Sequence, residues 1–271
     1  MFLRDIVEGA KCPNCESYHD VTLEECPKCH KANELFKIRR YPKRVVFLHP
    51  FVQLGMFLVG FAYGGMLLLE IFVATFREFF PADKAFRNVL AMSIIYGVMF
   101  ASLVLIALFS GRRKLFLEKF TNGIDYLYGI GYAATIVMGT VILGAILSWF
   151  YKIDNNANQE AIEAAATGYP LLAIPVLCIL GPLCEELTYR VGLYSFLRRF
   201  NKYFAFIVTT IIFAFIHFEI GAEDIMLELR SMPIYLFSGF ILTLAYEHRG
   251  PACSMTAHVL YNTFAFLLIF I

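Results

Sequence analysis

The sequence predicts an all-α, polytopic membrane helical bundle of about seven spans, with a small four-cysteine zinc ribbon at its N-terminus. Composition, seven long apolar stretches and two CxxC pairs predict it. The 271 residues are 59% hydrophobic and 17% charged, with mean hydropathy +0.65. Soluble domains are nearer half apolar and a quarter charged, so this apolar excess needs lipid as its solvent. The net charge of +1 offers no polycation and gives no reason to expect a nucleic-acid partner. Residues 1–11 are mixed polar and lack an apolar h-region, so no cleavable signal peptide is expected.

The first element, residues 1–36, reads Cys12-Pro-Asn-Cys15, ten intervening residues, then Cys26-Pro-Lys-Cys29. Four thiolates in two pairs suit tetrahedral structural Zn²⁺. The spacer is shorter than the usual fifteen to twenty residues but suffices for a two-knuckle ribbon. So short a unit has almost no core, so the metal would supply its folding energy. A closed four-sulfur shell has no open position for catalysis, which makes the site structural or a docking point for a protein partner. Two redox pairs or two disulfides are the competing readings. Cys178, Cys184 and Cys253 lie singly in apolar segments and read as small buried hydrophobes.

A basic juxtamembrane collar follows at 37–50, carrying Lys37, Arg39, Arg40, Lys43 and Arg44. It would hold the ribbon against anionic lipid headgroups. Apolar stretches then run at about 51–75, 88–110, 127–150, 169–197, 203–218, 232–247 and 254–271. All but 203–218 and 232–247 are near or above the ~18–20 residues that cross hydrocarbon. With the N-terminus cytoplasmic and the spans alternating, thirteen Lys and Arg fall inside and five outside. That asymmetry predicts a cytoplasmic N-terminus in a plasma-membrane protein, and it puts the four cysteines in a reducing compartment. The spans divide into an N-terminal membrane segment, 51–160, and a second segment, 161–271, that carries the polar groups.

Ionisable residues within spans are costly and default to functional candidates. They cluster in Gly181-Pro-Leu-Cys-Glu185-Glu186-Leu-Thr-Tyr-Arg190, in Phe213-Ala-Phe-Ile-His217 and in His258-Val-Leu-Tyr-Asn262. Glu186 and Arg190 stand four apart and can pair on one face. Glu185 points about 100° away and is left as the free carboxylate. Counting from the nearest flanking charge at ~1.5 Å per residue puts Glu185 and Asn262 at ~20 Å, His217 at ~22 Å and His258 at ~14 Å. Near-equal depth on three helices points to one convergent site. A carboxylate there could take a proton from water with help from His217, while His258 and Asn262 donate to an oxyanion. Glu185, His217 and His258 also match the ligand count of a catalytic zinc. The structural alternatives are a buried ion-pair network, an interfacial histidine and an interhelical hydrogen bond.

Glu185-Glu186-x-x-x-Arg190, Phe213-x-x-x-His217 and His258-x-x-x-Asn262, in that order, resemble the three motifs of the CAAX-protease and bacteriocin-processing family, also called CPBP or Abi. The resemblance covers about residues 165–271. It implies a multi-span intramembrane endopeptidase of the kind that includes the type II CAAX prenyl endopeptidases. Glu185 would be the base for water, His217 its helper, and His258 with Asn262 the oxyanion donors. Glu186 and Arg190 would be supporting residues. The family is often labelled metalloprotease, and a metal-free glutamate mechanism is also proposed for it.

The expected function is therefore hydrolysis of a peptide bond in a membrane-associated peptide or protein. A non-catalytic immunity or partner-binding protein of the same fold is the alternative. A proton-coupled transporter is less favoured, because no inverted repeat is visible. The ribbon is expected to recruit a partner or substrate, so that its removal spares cleavage.

Overall fold

The computed structural model describes residues 9–34, 36, 41–64, 84–151 and 155–271. Three collar cations, the second half of the first expected span with Glu70, and Arg77, Lys152 and Asp154 lie outside the described residues. Each of the seven apolar stretches coincides with a helix: α1 (Pro50–Gly64), α2 (Lys84–Leu108), α4 (Gly123–Ser148), α6 (Pro170–Arg198), α7 (Lys202–Phe215), α8 (Ile225–Arg249) and α9 (Pro251–Leu268). Two short helices join them, α3 (Arg113–Glu118) and α5 (Ala157–Gly168). Helix α5 runs across residue 160, where the two membrane segments were expected to divide.

Helix starts follow local chemistry. Asn122, Asn156, Asn201 and Asp224 each accept a hydrogen bond from a first-turn backbone N–H of α4, α5, α7 and α8. An Asn or Asp cap satisfies donors that a helix start otherwise leaves unpaired. Gly250, at φ +81°, ends α8 and lets Pro251 open α9 at once.

Helices α2, α4, α6 and α8 are long and apolar enough to cross a membrane. The expected 203–218 span is the 14-residue α7, only ~21 Å long, so it falls short of the ~30 Å hydrocarbon thickness. The expected 232–247 span begins seven residues earlier, at Ile225, because Asp224 caps the chain there and the helix continues through Pro233.

Helix α6 is the centre of the bundle. Half of its most apolar window is buried, against 11% for α4, whose surface faces outward with Leu127, Ile130, Met138, Val141 and Ile142 exposed. It packs against α1, α2, α7 and α9, while α8 lies between α7, α4 and α9. It is not a regular α-helix. Ile174–Leu180 and Glu186–Tyr194 are π-helical turns. Pro175 and Pro182 remove two N–H donors from the ladder, and a widened turn absorbs such a break. Gly192 allows α1 to approach, since a Cβ there would lie 3.0 Å from Phe57 N and 3.1 Å from Gln53 O.

The cysteine knob sits on one end of this bundle. Strands β1 (Ala10–Lys11) and β2 (Tyr18–His19) pair antiparallel, Ala10 opposite His19. Its Ala10 and Val21 join the core that continues through Val46, Leu48 and Met56 into Leu187 and Tyr194 of α6. Asp20 locks the contact. It accepts Arg199 Nη1 at 3.0 Å and Arg112 Nη2 at 3.0 Å, and Thr22 donates to it from both backbone and hydroxyl. Arg199 also donates to Gln53 Oε1 and to the Leu48 carbonyl. Fully buried Gln53 in turn donates to the carbonyls of Val46 and of Val191 in α6. Burial alone would raise the Asp20 pKa, but the Arg199 and Arg112 guanidiniums outweigh it and hold the carboxyl below its ordinary value. The two described collar cations are also paired, Lys43 with Glu24 and Arg44 with buried Asp125.

This contact gives removal of the ribbon a structural cost. Deleting residues 1–36 would strip Arg199 and Arg112 of their carboxylate. Removing one partner of a buried ion pair costs about 3–5 kcal/mol. Asp20→Asn should therefore lower the free energy of knob docking by about 3 kcal/mol, read by pulse proteolysis of detergent-solubilised protein. Glu24→Gln, at the exposed Lys43 pair, should cost under ~1 kcal/mol. Because the Asp20 pKa is depressed on folding, its contribution is complete above about pH 4 and is lost as pH falls below it.

Candidate active site

The sequence-predicted residues come together where α6, α7, α8 and α9 meet. Glu186 and Arg190 lie one turn apart on the second π-helical segment of α6, both fully buried, with Nη1 3.0 Å from Oε1. Arg190 is held further by Nη2 donating to the Gly239 carbonyl of α8 at 3.2 Å. Its guanidinium lies 4.2 Å over the Phe213 ring. The pairing anticipated from the i,i+4 spacing is present.

His258, on α9, meets both carboxylates. Nδ1 is 3.0 Å from Glu186 Oε1, and Nε2 is 3.8 Å from Glu185 Oε2. Neighbouring side chains on a helix normally diverge by about 100°. Here the two glutamates reach opposite nitrogens of one imidazole across the boundary between the α-helical turn Gly181–Glu185 and the π-helical turn Glu186–Tyr194. The sequence spacing had taken Glu186 as occupied by Arg190 alone. No spacing rule signals its second contact, because residue 258 is 72 positions away. Glu185 Oε2 is buried and has no hydrogen-bond partner among the described residues.

His217 lies beyond the end of α7, not within it. The helix closes at Phe215 with Ile216 as its C-cap, and the His217 N–H returns to Ala214 O. Its Nδ1 is 2.8 Å from the Phe213 carbonyl. A carbonyl only accepts, so Nδ1 carries the proton and a neutral ring keeps its Nε2 lone pair free. The Phe213 ring packs against this imidazole at 5.0 Å and against His258 at 5.8 Å. Asn262, one turn beyond His258, uses its amide to donate to Leu177 O at 3.1 Å, which leaves its second N–H.

His217, His258 and Asn262 line a common cavity of about 120 Å³. That is room for several waters, whose share of liquid volume is ~30 Å³ each. Its wall also includes Asn158 and Gln159 of α5, Tyr235 of α8 and Tyr261 of α9. Glu185 is not part of that wall and stands against His258. The sequence reading missed Tyr235, Asn158 and Gln159. Tyr235 stacks on His217 at 4.6 Å and 17°, on a separate helix. Sequence distance carries no signal for such a contact.

Two metal readings can be tested against geometry. Among the described residues, one group of metal-ligating side chains lies close enough to hold an ion: the four cysteines, whose sulfurs are all within 4.8 Å of one another. Cys12–Cys29 and Cys15–Cys26 are 3.6 Å apart. Four sulfurs at ~2.3 Å from a tetrahedral ion would be separated by ~3.8 Å, so the set fits. The two knuckles repeat: Glu16 and His30, each directly after the second cysteine, take φ of 56° and 58°. A hydrogen bond from the Ser17 hydroxyl holds the Cys26 thiol down to about 5, and the Asn14 side chain lowers Cys29. Cys12 is raised instead, so the bias toward thiolate, which favours metal ligation, lies in the second knuckle. Glu185, His217 and His258 do not form a second such group, so the catalytic-zinc reading does not fit this arrangement.

Comparison with known proteins places the motif-bearing half. The chain is 26% identical over 140 residues to the UPF0177 protein YvdC of Lactococcus lactis subsp. lactis (strain IL1403), covering 51% of each. It is 25% identical over 154 residues to YdiL of Bacillus subtilis (strain 168), which carries the provisional name membrane peptidase, covering 56% of this chain and 59% of YdiL. The chain thus spans about half the length of the curated relatives it matches. No solved structure matches. Residues 167–264, which hold all six motif residues, match the family model described as type II CAAX prenyl endopeptidase Rce1-like.

Proposed function

We propose that the protein is an intramembrane endopeptidase that hydrolyses a peptide bond of a membrane-associated peptide or protein with water activated by Glu185. One observation carries this reading. A buried carboxylate oxygen without a protein partner lies 3.8 Å from an imidazole nitrogen that a second carboxylate holds in place. Buried polar groups are ordinarily satisfied, and a water is the remaining partner for this one.

Glu185 takes a proton from that water as its oxygen attacks the carbonyl carbon, with His217 Nε2 as a second acceptor. The carbonyl oxygen becomes an oxyanion and receives N–H from Asn262 and from His258 Nε2. Protonated His258 suits this role. Glu185 and Glu186 against Arg190 alone leave one negative charge, and an imidazolium donating to Glu186 through Nδ1 and forward through Nε2 balances it. Collapse of the tetrahedral intermediate breaks the C–N bond, and the proton held by Glu185 goes to the leaving amine. Glu186 and Arg190 touch no substrate and set the position of His258.

We further propose that the four cysteines hold structural Zn²⁺ and that the knob faces the cytoplasm of a plasma membrane, as the basic asymmetry implies. A protein partner at the knob's exposed side is part of this reading.

Purified protein in nanodiscs tests the reading. Glu185→Gln and His217→Ala should each abolish cleavage of membrane-anchored peptides while leaving the thermal melt within ~1 kcal/mol of wild type. Glu185→Gln should also trap uncut substrate for mass spectrometry. Cleavage that persists in both variants overturns the proposal. Elemental analysis should find one zinc per chain, lost in the Cys12→Ser, Cys15→Ser double variant. A metal equivalent surviving there would point to a second site.

A further inference from the structure

The turn that carries His217 lies past a helix end, where backbone geometry alone does not hold a side chain. Three contacts fix the imidazole. The Phe213 carbonyl holds Nδ1 at 2.8 Å and sets the tautomer. Tyr235 lies flat against the ring, with centroids 4.6 Å apart and planes at 17°. Phe213 crowds the ring as well, at 5.0 Å and 53°. Rotation about the terminal torsion of histidine is broad and roughly two-fold when nothing packs on it. The Tyr235 face removes that freedom.

Tyr235 is itself tethered from outside its helix. Its hydroxyl accepts from Asn158 Nδ2 at 3.2 Å and donates to Asn156 Oδ1 at 3.4 Å. Asn156 caps α5, and Asn158 stands in the first turn of that helix and also lines the cavity. Glu228 of α8, 2% exposed, secures both sides of the arrangement. It accepts from Ala157 N at 2.9 Å and Asn156 Nδ2 at 3.3 Å on α5, and from Glu219 N at 3.2 Å just beyond His217. Helix α5, the catalytic turn and α8 are thus joined at one polar cluster above the cavity.

We infer that Tyr235 is a positioning residue for His217, and that through Asn156 and Asn158 it couples the orientation of the imidazole to the seating of the first turn of α5. The inference rests on the endopeptidase reading. A substrate backbone that touched Asn158 or Gln159 in the cavity would then be felt at His217 through a single intervening ring. Tyr235 supplies no proton and contacts no reacting atom, so its loss should lower turnover more than it changes substrate binding. A misplacement of about 1 Å at a reacting group can cost ~100-fold in rate.

The experiment uses full-length protein in nanodiscs, with a dye–quencher peptide library anchored by an acyl chain as the probe. Tyr235→Leu should lower kcat by roughly 10- to 100-fold with a smaller change in KM, and Tyr235→Phe, which keeps the ring, should restore most of the rate. Histidine-labelled NMR gives a readout independent of turnover. The His217 resonance, assigned by its absence in His217→Ala, should show an aromatic ring-current shift in wild type and Tyr235→Phe that disappears in Tyr235→Leu. Asn158→Ala, which loosens the hydroxyl tether without removing the ring, serves if Tyr235→Leu does not fold. It should broaden that resonance and lower kcat in the same direction. Unchanged kcat and an unchanged His217 resonance in Tyr235→Leu, or in Asn158→Ala if that variant is used, would overturn the inference. Full activity in His217→Ala would instead overturn the endopeptidase reading. If wild type cuts no member of the library, the resonance alone decides whether Tyr235 orients the ring.

Discussion

Glu186 Oε1 lies 3.0 Å from Arg190 Nη1 and 3.0 Å from His258 Nδ1, deep among apolar helices. A charge so placed is tolerated only when it is paired and hydrogen-bonded, since its desolvation would otherwise cost several kcal/mol. Much of the arrangement around it follows from that demand. Arg190 must reach Glu186 within its own helix, and it also takes the Gly239 carbonyl and the Phe213 face. His258 must present Nδ1 to Glu186, so Nε2 is turned toward Glu185. Glu185 is then 3.8 Å from that nitrogen, and each carboxylate keeps one oxygen, Glu185 Oε2 and Glu186 Oε2, without a hydrogen-bond partner among the described residues. The division of labour between two adjacent glutamates arises from which of them the guanidinium can reach.

Helix α6 is irregular around this pair. Glu185 and Glu186 themselves keep ordinary α-helical dihedrals at the junction of an α-helical and a π-helical turn, and both address His258. Pro175 and Pro182 break the hydrogen-bond ladder nearby, which makes widened turns less costly than they would be in an uninterrupted helix.

A second buried charge cluster governs the opposite problem, the attachment of a knob with little core to a membrane bundle. Asp20 joins Arg112 and Arg199, Arg199 joins Gln53, and Gln53 joins the Val191 carbonyl of α6. The four-cysteine unit is therefore tied to the helix that carries Glu185, Glu186 and Arg190.

The residue pattern alone determined what chemistry the chain can hold and where along it that chemistry lies. Apolar run length marked seven helices, because hydrocarbon demands internally satisfied backbone over a set distance. The CxxC pairs marked the four-cysteine knob, because thiolates three positions apart can share an ion. The i,i+4 spacing of Glu186 and Arg190 marked their pairing, because it is local geometry. Tertiary structure decided everything that depends on which faces of different helices meet. It placed Tyr235 on His217, Glu186 on His258 and Asp20 on Arg199. It also put Glu185, His217 and His258 in an arrangement that does not group them as metal ligands. Contacts between residues 18, 72 and 179 positions apart are set by packing and charge neutralisation across the whole bundle, and no short-range periodicity encodes them.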